Sequence, residues 1–192
     1  MNDIPRTIHP PADLDVPSVR LNGSVDDGML RTFLDALVSV QSGNGPLGLE
    51  LTTLGGDADV GRRIATDVRL FQSRSRRSAW FFGKAVVYSA GVTVMSAFPR
   101  ESRWLADGTR LLIHCRKLDK SVCFNGPLKG ERLKVEALLA EIETGIRMEE
   151  ADFRRLIDGS DVSLAELLER GESGWYLDAD EALQRGLIAG VI

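Results

Sequence analysis

The chain has 192 residues, of which 43% are hydrophobic and 27% charged, the make-up of one water-soluble globular domain with a real core. Its net charge of -4 excludes a protein that gathers nucleic acid by bulk electrostatic attraction. It has no apolar run of about 18 residues, so no membrane span is expected, and the opening MNDIPRTIHPPADLD lacks the basic patch and apolar stretch of a secretory signal. Two cysteines, Cys115 and Cys123, give neither a disulfide framework nor zinc-ligand spacing, and a reduced, cytoplasmic setting fits them.

Residues 1–17 hold Pro5, Pro10, Pro11 and Pro17 with little apolar surface to bury, which predicts a poorly ordered tail ahead of a single domain over 18–192. A short strand is predicted over 18–21. Gly23 then marks a turn, and Asp26 with Asp27 opens a helix, an acid being favoured at the positive end of the helix dipole. Met29, Phe33, Leu37 and Val40 repeat at helical spacing, and Gly43 stops the run. A buried strand over 47–51 leads into Gly55-Gly56 and a second helix with Val60, Ile64, Val68 and Phe71 on its inner face.

The run 79–88 predicts a strand buried on both faces and interrupted at Gly83. The small residues Ser89-Ala90-Gly91 form a tight turn, a helix over 92–98 follows, and Pro99 ends it. Two further strands are predicted at 104–105 and 111–115 around the turn Asp107-Gly108. The longest helical pattern spans 133–157, with Val135, Leu138, Leu139, Ile142, Ile146 and Phe153 on its apolar stripe. Ser163 and Glu166 make a capping box for a short helix to Arg170, and Asp178 opens a last helix closed by Gly186. Strand–helix alternation of this kind predicts an α/β fold with mostly parallel pairing.

Three places can carry chemistry. Ser89 stands at a strand–turn–helix joint, where a turn exposes the hydroxyl and the next helix offers free N–H groups. A serine nucleophile needs a base, and of the two histidines His9 sits in the proline-rich opening while His114 follows an apolar strand. Gly55-Gly56, between a strand and a helix, supplies unobstructed N–H donors for an oxyanion.

In this order and spacing, with Arg103-Trp-Leu-Ala-Asp-Gly-Thr-Arg-Leu-Leu-Ile-His114 after the serine and Glu181-Ala-Leu-Gln-Arg-Gly-Leu-Ile near the end, the chain resembles the proteolytic subunit of the Clp protease. The resemblance covers most of 18–192. It implies the ClpP/crotonase fold, a spiral of β-β-α units with a long helix after the histidine strand. It also implies a serine peptidase that needs no cofactor, with Ser89 as nucleophile, His114 as base, and the N–H groups of Gly56 and Ala90 as oxyanion hole. It further implies polypeptide substrates, a homo-oligomeric ring of seven subunits or two such rings stacked, and an ATPase unfoldase as partner.

The chain departs from the family pattern at named points. No proline precedes Gly55-Gly56, Asp107 stands where the family has proline, and the segment 83–89 is two residues longer than the family's. The position of the family's triad aspartate falls on Gly174, and Glu172 and Asp178 are the nearest substitute acids. Restoring the acid by Gly174→Asp is expected to raise activity provided the backbone there is open to other residues. Two other readings stand beside the peptidase: a catalytically silent subunit of a Clp-like assembly, and a crotonase-type enzyme acting on an acyl-CoA thioester.

Overall fold

The computed structural model describes residues 9–192; the remainder of the predicted tail, residues 1–8, lies outside the described residues. Residues 9–17 are in part anchored. The turn around Leu14 buries that side chain against Trp80, Phe82 and Trp104, so one apolar residue among the prolines is enough to seat the segment on the sheet.

The sheet is built around one strand. β1 (Val19–Asn22), β2 (Leu47–Thr53), β3 (Ala79–Tyr88), β4 (Arg103–Leu105) and β7 (Gly190–Val191) lie side by side in that order, all parallel. β5 (Arg110–Ile113) pairs parallel with the far half of β3, and β6 (Trp175–Asp178) pairs antiparallel with β5. Thus β3 gives its first half to β4 and its second half to β5.

The branch lies at the predicted interruption. Between Leu51 and Thr53 of β2 the facing strand advances from Gly83 to Val87, four residues against two. The two surplus residues of the sequence bulge out there, with Ala85 at a φ of 57° and the Thr52 hydroxyl donating to the Lys84 carbonyl at 2.9 Å. Gly83 is required at the fork: a Cβ there would come within 2.6 Å of Leu105 and 2.9 Å of Val87.

Two amphipathic helices cover the sheet. α1 (Asp27–Ser42) is capped by Asp26 and buries Met29, Phe33, Leu37 and Val40, and α2 (Ala58–Ser75), capped by Asp57, buries Ile64, Val68 and Phe71. The short α3 (Ala90–Met95) follows β3 directly. α5 (Leu164–Ser173) starts on the Ser163 cap and runs three residues past Arg170, and α6 (Ala179–Gln184) starts on Asp178.

α4 (Leu128–Leu156) is longer than its pattern predicts, beginning five residues before Leu133. Only its last turns are buried, at Asp152, Phe153 and Leu156. The expected apolar stripe is largely left in solvent, with Val135, Leu139, Ile142 and Ile146 exposed, and beside it Leu128 is 88% and Leu133 60% exposed. Among the described residues no helix is long and apolar enough to cross a membrane.

Arg103, at the start of β4, holds the end of α4 in place. It is 1% exposed, with no carboxylate partner among the described residues, and its guanidinium donates to the carbonyls of Leu156 at 2.6 Å, Phe98 at 2.8 Å, Arg155 at 3.0 Å and Leu187 at 3.1 Å. The last carbonyls of a helix lack intrahelical donors and carry its negative dipole, so a fork of N–H groups is a matched partner. Burial lowers the guanidinium pKa to about 10, which leaves it charged at neutral pH.

Candidate active site

Ser89 occupies the single residue between β3 and α3. Its backbone sits at φ 55° and ψ -117°, a conformation that costs a non-glycine residue about 1–3 kcal/mol and persists only when the surroundings enforce it. They do so here through hydrogen bonds on both sides: the Ser89 N–H donates to Leu112 O at 2.8 Å, and the Val92 N–H donates to Ser89 O at 2.8 Å. The hydroxyl does not cap α3 and has no hydrogen-bond partner among the described residues. The joint is tightly enclosed by small residues. A Cβ on Gly91 would lie 2.4 Å from Thr53, and one on Gly61 would lie 2.8 Å from the Ala90 carbonyl.

The glycine pair lies against this serine. A Cβ on Gly55 would come within 2.8 Å of Ser89 Cβ, and one on Gly56 within 2.4 Å of the Val25 carbonyl. Both residues have positive φ, 99° and 149°, so the loop excludes side chains on two counts. It is pinned by Val25 N–H to Gly55 O at 2.9 Å and Asp57 N–H to Val25 O at 2.8 Å. The N–H groups of Gly56 and Ala90 meet no acceptor among the described residues, and Gly56, Ser89, Ala90 and His114 all line one pocket.

His114 follows the last residue of β5. Its Nδ1 lies 2.7 Å from the carbonyl oxygen of Cys115, and no hydrogen bond joins it to Ser89. His9 is exposed and outside the pocket. The two acids named from the sequence stand elsewhere. Glu172 is exposed in the last turn of α5, and Asp178 accepts the Glu181 N–H at 2.8 Å as the cap of α6; neither lines the pocket.

The antiparallel pairing of β5 and β6 ends at Ile113 and Trp175, one residue short of His114 and of Gly174. Gly174 has no side chain to offer the imidazole and sits at φ 91° and ψ 112°. The proviso attached to Gly174→Asp is not met, since this backbone is one that L residues rarely adopt.

The sequence reading missed the far wall of the pocket, which comes from α4. Glu149, Asp152, Phe153 and Leu156 project into it at helical spacing. The Glu149 carboxylate accepts the backbone N–H of Arg116, and the Arg116 guanidinium donates to Asp59 at 2.5 Å in the first turn of α2. Asp152 is buried between two cations, Arg62 at 2.7 Å and Arg155 at 2.8 Å. Burial first, then the carboxylates of Glu149 and Glu172, push the Cys115 thiol up to about 11, so it is an un-ionised neighbour rather than a nucleophile. A free hydroxyl on a strained joint, an imidazole in the same pocket and two unused N–H donors are the parts that acyl transfer requires.

No family model matches the chain. It is similar to the protein named ATP-dependent Clp protease proteolytic subunit 2 of Pseudomonas aeruginosa, 25% identical over 93% of this chain and 82% of that one. The protein of the same name from Treponema pallidum is 26% identical over 93% of this chain and 83% of its own length. Among solved structures, a mutant of ClpP1 from Listeria monocytogenes superposes with a TM-score of 0.72 at 20% identity, covering 93% of this chain and 92% of the other. The chain therefore has the fold the sequence resemblance implied, and the relatives it matches carry the name that resemblance gave.

Proposed function

We propose that the chain is a Clp-protease-type subunit and a slow serine peptidase. Ser89 Oγ attacks the scissile carbonyl carbon while His114 Nε2 removes its proton. The N–H groups of Gly56 and Ala90 hold the oxyanion. The imidazolium then passes its proton to the leaving amine, and water releases the acyl group from Ser89 by the reverse sequence. The substrates are unfolded or short polypeptides, and no cofactor enters the reaction.

The observation that carries this reading is the strained Ser89, φ 55° and ψ -117°, beside two unused N–H donors. Strain at a solvent-facing joint is a device for aiming a side chain. On the family resemblance we infer a homo-oligomeric ring, a heptamer or stacked pair of heptamers, in the cytoplasm, and the words ATP-dependent in the relatives' names support an ATPase unfoldase as partner. The exposed apolar side chains of α4 support burial against other subunits.

A fluorophosphonate probe tests the chemistry. Wild type is expected to label on Ser89 and the Ser89→Ala variant to remain unlabelled. The silent-subunit reading has an observation of its own, the Gly174 gap and the missing Ser89–His114 bond. Failure of the oligomer to label at saturating probe would decide for it.

A further inference from the structure

The peptide unit between Cys115 and Arg116 is the piece of the site that neither the triad pattern nor the relatives' names assign. Its carbonyl faces His114 Nδ1 at 2.7 Å. Its N–H donates to the Glu149 carboxylate. A trans peptide is planar, with N–H and C=O pointing in opposite directions. Whatever fixes the Arg116 N–H therefore fixes the Cys115 carbonyl on the other side. Neighbouring contacts hold the same strap: Cys115 N–H donates to Gly171 O at 3.0 Å, and the Arg116 side chain reaches Asp59.

We propose that Glu149 does the orienting work of the missing triad acid through this peptide unit: the carboxylate holds and polarises it, and the Cys115 carbonyl accepts the Nδ1 proton of His114. This rests on the peptidase reading above. Hydrogen bonds in a chain strengthen one another, so a carboxylate on the N–H makes the carbonyl a better acceptor. The proton on Nδ1 leaves the Nε2 lone pair free for the Ser89 hydroxyl, which is the tautomer a base needs. Glu149 is thus a positioning residue. Its carboxylate sits on the far side of a peptide, so it stabilises the imidazolium less than a direct partner would.

The full chain with histidine labelled in nitrogen-15 gives a readout independent of activity. Only His9 and His114 contribute, and a His9→Gln variant assigns them. With the imidazole neutral, wild type is expected to carry the proton on Nδ1. Glu149→Ala should move it toward Nε2 and slow fluorophosphonate labelling on the order of tenfold, the size of a lost charge-assisted hydrogen bond. Glu149→Gln, whose amide oxygen can still accept the Arg116 N–H, should restore the Nδ1 form. A wild-type imidazole protonated on Nε2, or a Glu149→Ala variant with the tautomer unchanged and its thermal midpoint intact, would overturn the proposal. The expected tautomers with no labelling of Ser89 would sustain the Glu149 relay and overturn the peptidase reading.

Discussion

At the scale of single residues, Ser89 and Gly174 both hold a positive φ, and they behave oppositely under substitution. At Ser89, glycine relieves a strain that alanine keeps. Ser89→Gly should melt above Ser89→Ala by a few degrees, both being inert to the probe, since the strain is about 1–3 kcal/mol and one kcal/mol moves a chain of this size by roughly 2–4 °C. At Gly174, an aspartate must adopt φ 91° while its Cβ sits 3.4 Å from Leu112. Gly174→Asp is therefore expected to lower the melting point by several degrees without speeding probe labelling; faster labelling at an unchanged midpoint would show the backbone to be more permissive than its angles. Cys115 gives a pH-dependent check. A thiol with its pKa raised to about 11 is protonated at neutral pH, so iodoacetamide at pH 8 should modify exposed Cys123 and spare Cys115, with alkylation of Cys115 rising as the pH nears 11. Ser89, His114, Gly56 and Ala90 could be picked out from the sequence because each sits next to a punctuating turn or strand end. Glu149 could not, because it lies 35 residues beyond His114 on a helix whose pattern speaks of an apolar stripe rather than of chemistry. Its one signal was an acid three residues before Asp152 and seven before Leu156, on the face that turned out to be buried.

At the scale of elements, periodicity located α1 and α2 closely, because each has a single buried face and a capping residue. β6 escaped it. Four residues with Tyr176 and Asp178 exposed carry too little alternation, and only the antiparallel pairing with β5 makes them a strand. The stripe on α4 was visible, but apolar spacing tells which side chains share a face, not what that face meets. Where α4 does meet the body, Arg103 is the joint. Replacing it strands the carbonyls of Phe98, Arg155, Leu156 and Leu187. Arg103→Met should cost several kcal/mol, because each buried carbonyl left without its donor costs about 1–3 kcal/mol. Arg103→Lys keeps the charge but not the fork, so it should fall between the two in urea unfolding. Equal stability of Lys and Met variants would mean that charge, rather than the geometry of five donors, is irrelevant at this joint.

At the scale of the whole molecule, the exposed apolar length of α4 is too much surface for an isolated protomer to leave wet. Sedimentation at micromolar concentration is expected to give one species many times the 21.0 kDa of the chain, and Leu139→Asp with Ile142→Asp should shift it toward smaller particles; a wild-type monomer would remove the ring from the reading. Among the described residues α4 is buried only at its C-terminal end, at Asp152, Phe153 and Leu156, where Arg103 holds its last carbonyls, while its middle has the exposed Lys120–Glu141 ion pair, so the helix is a cantilever. A cantilever has a gradient of local stability along its length. In amide hydrogen exchange on released subunits, the turns near Leu128 should open on the fastest timescale and those near Leu156 should exchange only with the body. Because Glu149 lies two turns from the clamped end, any partner that grips the free end takes hold of a lever whose short arm ends beside His114.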